Sequence, residues 1–248
     1  MANSTESLRL LNEEIICCRK CPRLVEYRER VAREKRLAYR EWTYWGKPVP
    51  GFGDPNAQLL ILGLAPGAHG SNRTGRNFTG DRSGVFLYQA LYDAGFANQP
   101  NAVSRDDDLR LKNAYIAAAV RCAPPDNKPL PSEILNCRGY LERDIDILQP
   151  RAVLALGKIA WDVYMGILKQ RGVIPERTGY KFAHGAEVDL PEAGLRLFAV
   201  YHPSQQNTQT GLLTPAMYAK VLKRVRRFLE EPKKESPQRA QRSQSGKD

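Results

Sequence analysis

The sequence predicts an α/β fold in which a parallel sheet carries helices on both faces. Three observations predict it: four short apolar runs have the length and composition of buried strands, each is followed by a stretch of helical character, and the two kinds of segment alternate along the chain. At 248 residues and 42% apolar, the chain has enough material for one sizeable core.

The chain opens on charge. Residues 19–47 hold Arg19, Lys20, Arg23, Arg28, Arg30, Arg33, Lys35, Arg36, Arg40 and Lys47 against Glu26, Glu29, Glu34 and Glu41. Part of "LVEYRERVAREKRLAYREW" suits a solvated helix with ordinary i,i+4 pairs. Interleaved Tyr27, Tyr39, Trp42, Tyr44 and Trp45 allow a second reading, a surface that packs on the fold and meets a phosphate backbone. The first strand is "QLLILGLA" (58–65), and "SGVFLYQALYDAGF" follows as a helix with Ser83 at its N-cap and Gly95 at its C-cap. "NAYIAAAV" (113–120) precedes "PSEILNCRGYLERDIDILQP", a helix running from Ser132 as N-cap to Pro150. "RAVLALG" (151–157) precedes "KIAWDVYMGILKQRG", and "LRLFAVY" (195–201) precedes "TPAMYAKVLKRVRRFLEE", where Thr214 caps and Pro215 takes the first helical position. After about Glu231 the apolar residues run out. A single domain over 1–231 with a disordered basic tail over 232–248 is the expectation.

A formal net charge of +11 points to a polyanionic partner, most often nucleic acid. No apolar run is long enough for a membrane span, and the N-terminus lacks the basic start and apolar stretch of a signal peptide, so a cytoplasmic protein is expected, nucleoid-associated in a prokaryote, with a monomer as the default.

Ligands of parallel-sheet folds bind beyond the carboxyl ends of the strands, which is where "GLAPGAHGSNRTGRNFTGDRSG" (63–84) lies. Its glycines permit positive φ and close approach of backbone amides to a ligand. The loop fits neither G-x-x-x-x-G-K-[ST] nor G-x-G-x-x-G, so the two standard nucleotide fingerprints fail. Phe78 has two readings here: a plug that seats the loop on the core, or a stacking platform for a planar base.

Cysteine spacing is the other specific signal. Cys18 and Cys21 form C-x-x-C, while Cys122 and Cys137 lie far downstream. In a reducing compartment, four thiolates at two separate places read as one metal or cluster site, with zinc and an iron-sulfur cluster sharing the ligand set. Cys17 is the spare.

On "GLAPGAHGSNRTGRNFTGD", "VRCAPPDNKP", "YHPSQQNT" and the four-cysteine spacing, the chain resembles the family 5 (type B) uracil-DNA glycosylases, an iron-sulfur branch of the uracil-DNA glycosylase superfamily, over residues 15–230. The resemblance implies a three-layer α/β/α sandwich around a four-stranded parallel sheet. It also implies a [4Fe-4S] cluster on Cys18, Cys21, Cys122 and Cys137, and DNA as partner. The implied activity is excision of uracil and other deaminated bases such as hypoxanthine and xanthine.

Such an enzyme must flip the nucleotide, grip its face, read its edge and stabilise charge as the base leaves. His202 is the candidate donor to the departing base and Asp81 the candidate carboxylate, although Asp81 also suits a helix start. The base-binding candidates are Phe78, Asn127, Gly67 and Ala68; Asn127, between Pro125 and Pro129, also suits a turn. Many relatives carry a polar water-positioning residue where Ala68 stands, and type A relatives carry Asn where Ala118 stands. Ser204 and Asn207 are expected at the loop or a backbone phosphate. His69, Asn72 and Arg73 are further pocket candidates, and Leu212 or Leu213 a wedge for the vacated stack. No Lys is placed to form a Schiff base, so a monofunctional enzyme leaving an abasic site is expected. Two rival classes are a metal-stabilised nucleic-acid-binding module without catalysis and an α/β enzyme acting on a nucleotide or phosphorylated metabolite.

Overall fold

The computed structural model describes residues 3–232. The expected tail, 232–248, therefore lies outside the described residues except for its first position. Helices α1 (Ser4–Ile16) and α2 (Pro22–Glu34) precede a short edge strand β1 (Phe52–Gly53). Then follow β2 (Leu59–Gly63), the single turn α3 (Ser71–Thr74), α4 (Arg82–Asp93), β3 (Ala114–Ala118), α5 (Pro131–Leu148), β4 (Ala152–Leu156) and α6 (Lys158–Gln170). The chain closes with β5 (Glu187–Leu190), β6 (Leu195–Val200), α7 (Gln205–Gln209) and α8 (Pro215–Glu230).

The four strands legible in the sequence pair in parallel in the order β3-β2-β4-β6. The sheet itself has six strands, because β1 and β5 add antiparallel edges. The central four-stranded parallel sheet is as expected, and the two edges extend it. A two-residue strand and the half-exposed "EVDL" carry no continuous apolar run to betray them.

Alternate side chains of the central strands feed two cores. Leu59, Ile61, Ile116, Leu154, Phe198 and Val200 pack under α4 and α8, while Leu60, Leu62, Tyr115, Val153, Leu197 and Ala199 pack under α5 and α6. Each fully buried aliphatic side chain contributes about 1.5–3 kcal/mol of transfer free energy, so both faces must stay covered. The result is the three-layer α/β/α sandwich. After β2 the chain crosses to β3 on one side, and after β3 it returns to β4 on the other. That reversal opens a crevice beyond the strands' carboxyl ends.

Two caps differ from expectation. Asp81, not Ser83, caps α4, its Oδ1 accepting the Gly84 N–H at 2.9 Å. Helix α5 begins at Pro131, one residue before Ser132, and the Glu133 carboxylate reaches back to accept the Leu130 N–H at 2.7 Å. Thr214 caps α8 as expected, accepting the Met217 N–H at 3.3 Å, with Pro215 at the first helical position. Among the described residues no helix is long and apolar enough to cross a membrane.

Candidate functional site

A cleft of about 1030 Å³ lies beyond the carboxyl ends of β2, β3 and β6. Its walls come from the glycine loop after β2, from Ala118, Asp126 and Asn127 after β3, and from His202, Ser204 and Gln205 after β6. His202, Asp81, Phe78, Asn127, Gly67, Ala68 and Ser204 all line it. Segments far apart in sequence converge there because the strands that carry them are neighbours in the sheet.

Phe78 satisfies both of its readings at once. It is 9% exposed and belongs to the core under α4, yet it also lines the cleft. Its φ of 53° is left-handed, a strained setting for a bulky residue, held by a hydrogen bond from its N–H to Ser71 Oγ at 3.0 Å. The first turn of α4 comes so close that a Cβ on Gly84 would sit 1.8 Å from the Phe78 carbonyl oxygen. Gly84→Ala is therefore expected to destabilise the protein by roughly 3 kcal/mol, read as a lower urea midpoint. An unchanged midpoint would mean that the loop and helix separate freely.

Asp81 spends one oxygen on the helix cap. The other lies against the loop, since a Cβ on Gly70 would stand 2.0 Å and one on Gly67 3.3 Å from Asp81 Oδ2. The carboxylate thus reaches back to the stretch that contains Ala68. Burial raises the Asp81 pKa above its ordinary value, opposed by the N–H groups of Gly84 and Ser83 and by the Arg73 cation.

His202 follows β6 and packs near Gly157 at the end of β4. Burial pushes its pKa down to about 4, so the imidazole is neutral at physiological pH. Its ring centroid is 5.8 Å from that of Phe78, within reach of anything laid on the phenyl face. Asn207 does not line the cleft. Its side-chain amide donates to the His202 carbonyl at 2.8 Å, which makes it a brace for the His202 backbone, while Ser204 caps α7 by accepting the Asn207 N–H at 3.3 Å. Asn127 is exposed at the mouth with φ of 56°, the left-handed turn conformation that asparagine tolerates.

The aromatic and basic segment before β1 has a structural task that its composition did not disclose. The Arg73 guanidinium sits between the rings of Tyr39 and Trp42, 4.0 Å and 4.1 Å from their centroids. From there it donates to the carbonyls of His69 at 2.8 Å and Gly80 at 2.7 Å. Trp45 packs against Gly75 and donates to the Pro48 carbonyl at 3.0 Å. These rings clamp the loop from outside, and they are not free platforms for bases. Arg28 and Asn72 are likewise buried. Of the further pocket candidates, His69 alone lines the cleft. Leu213 belongs to the core at 1% exposed, which leaves Leu212, 50% exposed, as the wedge candidate.

The cysteines meet at a second place. Cys18, Cys21, Cys122 and Cys137 line one small cavity together with Lys20, Arg121 and Asn136, while Cys17 is exposed. Arg28, 2% exposed, donates to Cys122 Sγ at 2.9 Å, and Asn136 donates to Cys21 Sγ at 3.5 Å. Burial pushes the Cys122 thiol up to about 12 and raises Cys137 as well. Buried guanidinium nitrogens nearby, Arg28 Nε and Arg121 Nε and Nη1, find no hydrogen-bond acceptor among the described residues. The Arg121 charge is paired with the buried Asp144, so the four sulfurs beside the buried Arg28 cation make a donor set suited to an anionic thiolate-bound group. Among the described residues, no three His, Cys, Asp or Glu side chains are gathered tightly enough for a single ion.

A sequence model of the uracil DNA glycosylase superfamily matches residues 50–226, which include the whole cleft except its N-terminal wall. A type-5 uracil-DNA glycosylase of Thermus thermophilus is 49% identical over 217 residues, covering 87% of this chain and 95% of the relative. One from Pyrobaculum aerophilum is 46% identical over 211 residues, covering 85% and 88%. A type-4 uracil-DNA glycosylase of the same organism is 30% identical over 198 residues, covering 79% and 83%.

Proposed function

The chain belongs to the uracil DNA glycosylase superfamily, among the type-5 uracil-DNA glycosylases, and from that premise we propose that this DNA glycosylase flips uracil and other deaminated bases into the cleft and hydrolyses the N-glycosidic bond, leaving an abasic site. The observation that carries this reading is the convergence of Phe78 and Asp81 from the loop after β2, Asn127 from the loop after β3 and His202 from the loop after β6 on one cleft at the strand ends. A binding module without catalysis would give no reason for that convergence.

In this reading the flipped base lies on Phe78, with Gly67 and Ala68 leaving room beside it and Asn127 at its edge. As the bond from C1′ breaks, its electron pair leaves with the base and charge builds on the base oxygen. His202 donates a hydrogen bond there, an oxyanion-hole role for which a neutral imidazole is the right form. Water then bonds to C1′ and gives up its proton. Asp81 Oδ2 accepts that proton in place of the side chain that Ala68 lacks, and its raised pKa makes it a better acceptor than an ordinary aspartate. Asn207 positions His202 through its carbonyl. The small pocket wall at Ala68 and Ala118 and an exposed Asn127 favour a broad range of bases over strict reading of one edge.

We propose further that Cys18, Cys21, Cys122 and Cys137 hold a [4Fe-4S] cluster, with zinc the weaker alternative because the sulfurs surround a cavity without gathering on one point. The cluster supplies a cross-link between the α1–α2 junction, the loop after β3 and α5, and no step of the hydrolysis passes through it. DNA is the partner.

Single-turnover release from duplexes bearing one uracil, hypoxanthine or xanthine tests the substrate range. Release of all three within about 100-fold of one another is expected, since each discriminating contact is worth about 1–3 kcal/mol. Release of uracil alone would overturn the broad range, and release of none would overturn the function. Leu212→Ala should slow excision from duplex about 10-fold while leaving single-stranded substrate within about 2-fold, as a wedge acts only on a stack. Equal slowing on both would reject the wedge.

A further inference from the structure

We propose that His69 is a substrate-binding residue that donates its Nε2–H to a phosphate of the target strand, in a tautomer fixed by Tyr44. This deepens the reading of the cleft as a DNA site and rests on it. His69 is half-buried and lines the cleft on the wall formed with Tyr27, Arg36 and Tyr39. Its Nδ1 lies 3.1 Å from the Tyr44 hydroxyl. Tyr44 is 8% exposed, and its hydroxyl also accepts the Arg36 backbone N–H at 3.4 Å.

The Arg36 N–H fills one lone pair of the Tyr44 oxygen, and in the proposed tautomer the hydroxyl's own proton is donated to Nδ1. An Nδ1 that accepts leaves the ring proton on Nε2. Burial and the nearby Arg36 and Arg73 cations disfavour a second ring proton. The His69 carbonyl is tied to the clamped Arg73 at 2.8 Å, so the backbone that presents the ring is fixed as well.

The chemistry of that wall selects the ligand. A neutral N–H donor beside the exposed cation of Arg36 is arranged for an acceptor that carries negative charge. DNA offers such a group at every nucleotide, and contacts to it fix register without reading sequence. Phe78, His202 and Asn127 already account for the face and edge of the base, which leaves the phosphate beside the flipped nucleotide for His69.

The test combines three measurements on the full-length protein. In single-turnover excision of uracil, His69→Ala should raise the half-saturating DNA concentration about tenfold, the order expected for a hydrogen bond to a charged group, with the maximal rate within about twofold. His69→Gln, which keeps an amide donor near the same place, should restore most of the loss. A methylphosphonate replacing the phosphate next to uracil should weaken the wild type and leave His69→Ala unchanged. Independently of DNA, the nitrogen-15 shifts of the His69 ring should show the Nε2–H form, shifting toward a mixture in Tyr44→Phe.

An Nδ1–H form in the wild type would overturn the proposal. So would a His69→Ala protein with unaltered half-saturation, or one in which only the maximal rate falls, which would assign His69 to the departing base. A wild type that releases no base would instead overturn the proposed function, so the two failures are distinct.

Discussion

His202→Ala is expected to lower the single-turnover rate of base release about 100- to 1000-fold, with DNA affinity little changed. Removing one preorganised donor from a developing oxyanion has that order of effect, because the contact strengthens only as charge appears in the transition state. His202→Gln should recover part of the loss, since an amide is also a neutral donor.

The pH profile gives a sharper readout. With its pKa pushed down to about 4, His202 stays neutral well below the ordinary histidine value of 6.5, so the imidazole should contribute no inflection near 6.5 to the wild-type rate. Protonation lowers the rate on the acid side through two groups: His202 toward 4, and Asp81, whose pKa burial raises above its ordinary value. Stability follows the same sign. The unfolded chain takes up a proton at His202 near 6.5 that the folded chain refuses until about 4, so this contribution is fully present above 6.5 and is lost as pH falls toward 4. His202→Ala should unfold with a flatter dependence on pH over that window. A rate inflection near 6.5 that His202→Ala abolishes would mean that the imidazole acts as a cation.

Cys122→Ala is expected to destabilise the fold and to abolish the bound group. The substitution removes one of the four sulfurs around the cavity and one acceptor of the buried Arg28 guanidinium, which donates to Cys122 Sγ at 2.9 Å and keeps the Cys18 carbonyl at 3.3 Å. A hydrogen bond to a charged group is worth about 1.5–3 kcal/mol, and each kcal/mol moves the midpoint of a domain this size by about 2–4 °C. A fall in Tm of roughly 6 °C is therefore expected even before any bound group is counted, together with loss of the visible absorption and bound iron of the proposed cluster. Cys17→Ala, at an exposed position, should change neither. A Cys122→Ala protein with wild-type Tm and bound iron would exclude Cys122 as a ligand and the cavity as a cluster site.

The central sheet was legible because buried parallel strands are written as unbroken apolar runs. "LLILG", "AYIAA" and "AVLAL" lie inside the expected runs, starting one residue later and ending one or two residues earlier. The edges β1 and β5 were not legible, since half-exposed short strands carry no such run. At the start of α4, Ser83 and Asp81 are both good capping residues, and local sequence does not distinguish them; Asp81 takes the cap by accepting the Gly84 N–H. In the cleft, strand order alone brought His202, Asn127 and the glycine loop to one end of the sheet.

Contacts between residues far apart in the chain leave no local trace. Tyr39 and Trp42 are read from sequence as surface aromatics in a basic segment, and nothing local indicates that their partner is Arg73 across the cleft wall. Likewise, "HPSQQN" marks Asn207 as polar near His202 but not that its amide is spent on the His202 carbonyl.

The most direct measurement is strand integrity of an end-labelled duplex carrying one uracil, incubated with the protein and then split into samples with and without alkali. Cleavage at the uracil position only after alkali is the predicted result, as hydrolysis of the glycosidic bond leaves an abasic site in an intact strand. Cleavage without alkali would contradict the monofunctional mechanism, and an intact strand after alkali would contradict base excision by this cleft.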